Sequence, residues 1–207
     1  MSKVKSARFL AICAAILCCG FAQQMTIPDH VAATGGMPVF LPVIRDLAPV
    51  PLSDLAAADA IVYGKLVRQR AYMNSRKRDI YTDYEIVAER VIVDRLRVMS
   101  SLPQPVGQSR PVVTIYGGEI VVDKTKVVMD DMSLIRRPEH SGPLLMFLRR
   151  TSEANRFELY GDVAGLFEVK AVGRIQSLLK HPEKDKEVGD LTLEQLIQLV
   201  TEERRDL

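Results

Sequence analysis

The chain has 207 residues, with 28 Lys and Arg against 26 Asp and Glu, three histidines and no tryptophan. That near-balance gives no electrostatic reason to expect nucleic acid or an anionic membrane as partner. All three cysteines (Cys13, Cys18, Cys19) fall in the first 22 residues, so a cysteine nucleophile, a thiolate metal site and a disulfide scaffold are excluded from everything that follows.

Those first residues read as a cleavable secretory signal. Lys3, Lys5 and Arg8 precede an uncharged run from Phe9 to Cys19, and Gly20 and Ala22 supply the small side chains that a signal peptidase needs. The apolar run is too short to cross a hydrocarbon core of roughly 30 Å. Lipidation at Cys18 or Cys19 is disfavoured because Leu17 or Cys18 would stand where a small residue is required. The expectation is therefore a protein exported to the periplasm or secreted. Cleavage after Ala22 removes three basic residues and no acid, leaving 25 basic against 26 acidic. No later segment approaches membrane-spanning length.

Residues 23–51 hold Pro28, Pro38, Pro42, Pro49, Pro51 and Gly35-Gly36, which predicts a flexible leader rather than a packed element. Order is expected to begin at residue 52, where Ser53 or Asp54 caps a short alanine-rich helix. Residues 59–67 then read as a strand. Residues 79–93 form a longer one, with Ile80, Tyr84 and Ile86 on one face and Asp83 and Glu85 on the other. Val87, Val91 and Val93 lie on the opposite parity, a phase change that predicts a bulge.

Residues 111–116 make a short strand. Gly117-Gly118 reads as a hairpin turn with positive φ, and residues 119–123 as a further strand continuing to Met129. Residues 143–148 are apolar on both parities, as in a strand buried on both faces. Residues 157–161 and 165–169 complete six or seven strands, an antiparallel barrel or sandwich occupying 52–175. Residues 176–190 read as a charged linker and 191–205 as an amphipathic helix, with Thr192 and Gln195 forming a capping box.

The order of Ala58-Asp59-Ala60-Ile61-Val62-Tyr63-Gly64-Lys65, Asp79-Ile80-Tyr81-Thr82-Asp83-Tyr84, Val113-Thr114-Ile115-Tyr116-Gly117-Gly118, Gly142-Pro143-Leu144-Leu145-Met146-Phe147-Leu148 and Tyr160-Gly161 through Gly165-Leu166-Phe167 resembles a widespread group of exported bacterial domains of unknown role. In strand pattern it is also similar to the netrin-like barrel of metalloprotease inhibitors, of the oligonucleotide/oligosaccharide-binding (OB) type. That second likeness implies an alternative role as inhibitor or accessory of an extracytoplasmic protease. The animal inhibitors chelate the protease metal through an N-terminal cysteine, which this chain lacks after residue 22.

Candidate chemistry is sparse. His30, His140 and His181 do not fall at metal-ligand spacing; Asp130, Asp131 and Glu139 are the acids nearest His140. Asp79, Asp83 and Glu85 share a strand face, where alternation alone places charges. No G-x-S-x-G elbow or phosphate loop is present. Basic residues gather instead around a tyrosine: Arg68, Arg70, Tyr72, Arg76, Lys77 and Arg78, and loops of this kind flank the ligand face of OB-type barrels. No metal or cofactor is expected. The function expected is a non-enzymatic binding module for an exported protein or envelope polymer; a hydrolase is a lesser alternative.

Overall fold

A computed structural model of the chain describes residues 25–42, 48–95, 97, 110–130, 142–153, 155–170 and 173–203. The expected signal, and His140 with its neighbouring acids and arginines, lie outside the described residues; of Asp130 only the backbone is described.

The architecture is mainly β with a closed five-stranded barrel, a short helix before its first strand and helices at the C-terminal end. Strands β2 (Ala60–Met73), β3 (Ile80–Asp94), β4 (Val112–Tyr116), β7 (Leu144–Arg150) and β8 (Arg156–Leu159) form it. Around the barrel they run β7-β2-β3-β4-β8, and β8 returns to β7 through Leu148↔Leu159 and Arg150↔Phe157. Within the barrel all pairings are antiparallel except β4–β8, which is parallel. The first three barrel strands, then the fifth, then the fourth is the circuit of an OB-type barrel. Strands β9 (Leu166–Val169) and β10 (Ile175–Ser177) extend the sheet beyond β7.

Strand β7 explains how the core divides. Leu144 to Leu148 are all buried. Leu144, Met146 and Leu148 point into the barrel against Val62, Ile86, Val113, Phe157 and Leu159. Leu145 and Phe147 point outward into a second cluster with Leu55, Ile61, Phe167, Val188, Leu196 and Val200. One strand thus serves two apolar layers, which is why its sequence is apolar on both parities. The helices α2 (Leu52–Leu55), α3 (Pro182–Val188) and α4 (Leu193–Glu203) supply the outer layer.

The phase change in β3 is a pair of bulges. The β2–β3 register skips Ile92 between Val62 and Ile61, and Glu89 between Gly64 and Tyr63. Val91 then packs in the barrel interior while Ile92 and Val93 pack in the outer layer. Gly64 sits against this irregularity so closely that a Cβ would lie 2.3 Å from the Val87 carbonyl oxygen; only glycine allows that approach.

Among the described residues ten strands are present rather than six or seven, and the differences have local causes. Residues 23–51 do not form only a loose leader. They contain α1 (Ile27–Thr34) and β1 (Val39–Pro42). Thr26 and Asp29 make a capping box, Pro28 lies in the first turn, and Gly35 ends the helix at φ 62°. Pro and Gly that punctuate coil also start and stop helices. Ile27, Val31 and Val39 are buried against Ile80, Val127 and Met129 in a third cluster.

Residues 119–129 are not one strand but a hairpin, β5 (Gly118–Val122) and β6 (Thr125–Asp130). Its two-residue turn is Asp123-Lys124, both at positive φ (47° and 68°), without the glycine that normally marks such a turn. Gly117-Gly118 is not a hairpin. It kinks the chain from the barrel into a small sheet ordered β1-β6-β5. The supposed linker 176–190 contains the end of β10 and all of α3, in which Lys184 is buried. The C-terminal capping box forms as expected: the Thr192 amide donates to Gln195 Oε1 at 2.9 Å and the Gln195 amide to Thr192 Oγ1 at 3.3 Å.

Candidate ligand-binding face

Alternation along β2, β3 and β4 decides which side chains leave the barrel. On β3, Ile80, Thr82 and Ile86 are buried, while Tyr81, Asp83 and Glu85 face outward and remain partly exposed. Cross-strand register then builds rows. Tyr72 lies opposite Tyr81, and Tyr81 opposite Tyr116. Their rings form a continuous strip: Tyr72 and Tyr81 stack at 6.2 Å between centroids, and Tyr81 meets Tyr116 edge-on at 5.3 Å.

The next row is polar. Arg70 lies opposite Asp83, and Asp83 opposite Thr114. Arg156, at the start of β8, reaches over to clamp this row. Its Nη1 donates to both Asp83 oxygens at 2.8 and 2.9 Å, to Thr114 Oγ1 at 3.0 Å and to Tyr72 Oη at 3.4 Å. Its Nε pairs with Glu153 at 2.8 Å. Thr114 donates a further bond to Asp83 at 2.8 Å. Burial, then the Asp83 charge, pushes the Tyr72 phenol above its ordinary value.

The hairpin tip beside the tyrosines is a closed turn. Asn74 Oδ1 accepts from the Arg78 amide at 3.1 Å, the Lys77 amide donates to the Asn74 carbonyl at 2.9 Å, and the Ile27 amide donates to the Lys77 carbonyl at 2.8 Å. Helix α1 therefore docks on the tip. Tyr116 Oη donates to Asp79 at 2.9 Å, and the Asn74 amide bonds the same carboxylate.

The six residues singled out in the sequence are not one patch. Arg68 sits at a register shift with φ 37° and pairs with Glu85 at 3.2 Å, which also holds Arg110 at 3.4 Å. It stands away from the tyrosines along β2. Tyr72 and Arg70 belong to the face itself, and Arg76, Lys77 and Arg78 border it on the tip. Arg70, Arg76 and Lys77 are exposed, and their side chains take no hydrogen bond or ion pair among the described residues. The acids Asp79, Asp83 and Glu85 are each tied to neighbours, so none stands as an unengaged acid–base pair.

Tyr81, Tyr116, Thr114 and Arg156 complete the face and were not singled out in the sequence. The odd parity shared by Tyr81, Asp83 and Glu85 was a usable signal for the first. Nothing local marks Arg156, which arrives through the parallel β4–β8 closure. Among the described residues, no group of three His, Cys, Asp or Glu could hold a metal ion, and no helix is long and apolar enough to cross a membrane. His30 lies on α1, and His181 occupies the N-cap position of α3 without a side-chain capping bond.

No family model matches the chain, and no curated protein matches it.

Proposed function

We propose that this chain is an exported binding module that engages a protein or polymer of the cell envelope or exterior through the outer face of β2, β3 and β4. The observation that carries this is the strip formed by Tyr72, Tyr81 and Tyr116 beside Arg70, whose side chain has no partner among the described residues, on the strand face that OB-type barrels use for ligands. Tyrosine supplies large contact area with few rotatable bonds, and arginine and tyrosine are the side chains most often dominant in recognition. Internal hydrogen bonds hold the Tyr72 and Tyr116 hydroxyls, so the rings are fixed before any ligand arrives, which lowers the entropy lost on binding. The Arg156 clamp serves the same end by fixing Asp83 and Thr114.

Export is part of the proposal and rests on the arrangement of Lys3 to Ala22. Expression with an epitope tag at the C-terminus, followed by fractionation and N-terminal sequencing, should give a chain starting near Gln23 outside the cytoplasm. An uncleaved chain in the cytoplasm would refute it. For the site, the immobilised protein is incubated with envelope extract and with purified envelope polymers. Retention of one component by wild type, lost in Tyr81→Ala and reduced in the Arg76, Lys77 and Arg78 triple alanine variant, supports the proposal. Equal retention by all three contradicts it.

A further inference from the structure

Among the described residues, strand β5 is an open edge. In a two-residue hairpin the residues flanking the turn, here Val122 and Thr125, form a mutually hydrogen-bonded pair. Gly118, Ile120 and Val122 therefore turn their backbone groups toward β6, and Glu119 and Val121 turn theirs outward. Among the described residues nothing bonds to those two amides and two carbonyls. The opposite edge of the small sheet, β1, is flanked by Pro38 and closed by Pro42, a common way of blunting an edge. Strand β5 has no proline, and its one charge is engaged: Glu119 pairs with Lys126 of β6 at 2.6 Å. The lobe also concentrates apolar exposure. Val121 is 69 % exposed and Phe40 72 %, and Met25 and Met37 join them, against Val87 and Leu199 elsewhere. Exposure of that kind on an unprotected edge marks an interaction surface.

We infer that β5 pairs antiparallel with β5 of a second copy, making one six-stranded sheet across a two-fold axis. The register follows from the outward groups. Glu119 of each copy faces Val121 of the other, with the two Ile120 residues on the axis, and the four outward groups of each strand are all satisfied. The same patch serves both copies, as a two-fold interface requires. Because Lys126 neutralises Glu119 within its own chain, the seam brings no net charge together. A two-fold dimer would also present two tyrosine faces at once.

The test is the mass of the isolated protein by light scattering after size exclusion, from micromolar to millimolar concentration. Wild type should have twice the chain mass. Val121→Pro removes an outward amide without touching the β5–β6 ladder, and Val121→Lys places a charge on the edge; both should be monomeric with near-native thermal melts. Hydrogen exchange adds a readout independent of folding defects: the Glu119 and Val121 amides should be protected in wild type and fast in Val121→Lys. A monomeric wild type at millimolar concentration, or a dimer that survives both substitutions with those amides unprotected, overturns the inference.

Discussion

Lys184 places a charged group in the core, and replacing it measures how α3 is held. Its side chain is fully buried, its ammonium donates to the Val50 carbonyl and to Glu187 at 2.7 Å, and it lies 5.6 Å from the Phe167 ring centroid. Glu187 in turn accepts from the Leu52 amide at 2.9 Å. The pair thus ties the entry to α2 onto α3. Lys184→Ala removes three buried methylenes, about 0.8 kcal/mol each. It also leaves the Val50 carbonyl without its donor, about 1–3 kcal/mol more. The expected loss is about 3–5 kcal/mol. Lys184→Met keeps the apolar stem and sheds the cost of burying a charge, so its net change should stay within about 1–2 kcal/mol.

The pH dependence has a definite sign. Burial lowers the Lys184 pKa below 10.5, and the bond to Glu187 offsets part of that shift. The unfolded chain therefore binds more protons in the window between the lowered value and 10.5, so wild type should gain stability relative to Lys184→Met as pH rises through it. Below that window, where both states are protonated, the difference should be flat. Urea unfolding of the three proteins from pH 7 to 10.5 supplies the numbers. A loss under about 0.5 kcal/mol for Lys184→Ala, the range of ordinary surface changes, would refute the clamp.

Three other substitutions probe the barrel and its face. Gly64→Ala should cost about 1–3 kcal/mol in urea unfolding, because its Cβ must displace the Val87 backbone. Arg156→Ala should raise the Tyr72 phenol further, since the Asp83 charge is then unopposed; a later phenolate absorbance step, absent when Tyr72 is also replaced by Phe, would show it. Thr192→Ala breaks the capping box of α4 and should lower stability by about 1 kcal/mol, read as a reduced urea midpoint.

What could be read from sequence was what depends on near neighbours in the chain. The double-parity run of β7, the bulges of β3 and the Thr192–Gln195 cap each follow from a local pattern and appear where expected. Misreadings came where one residue type serves two purposes. Pro28 and Gly35 look like loop punctuation but sit in the first turn and at the C-terminal end of α1, and Lys184 looks like a solvated linker charge but is a buried tie. Asp123-Lys124 makes a turn with positive φ at both positions, which neither side chain advertises. The face was half legible for the same reason. Tyr72 and Arg70 stood in a visible cluster, whereas Tyr116 and Arg156 join them only through strand pairing and the closure of β4 on β8. Arg68, adjacent in sequence, is carried away along β2 to Glu85.

The central claim is that the tyrosine face makes the contact, and the most direct measurement is the dissociation constant for the retained partner in wild type, Tyr81→Ala and Arg70→Ala. Tyr81 is a partly exposed ring on the outer face and Arg70 has no partner among the described residues, so both variants should melt near wild type. A central contact of this kind is worth about 2 kcal/mol or more, roughly a thirty-fold weakening. The account predicts that loss for Tyr81→Ala and a smaller, salt-sensitive one for Arg70→Ala. Affinities unchanged in both, with the proteins folded, would contradict it.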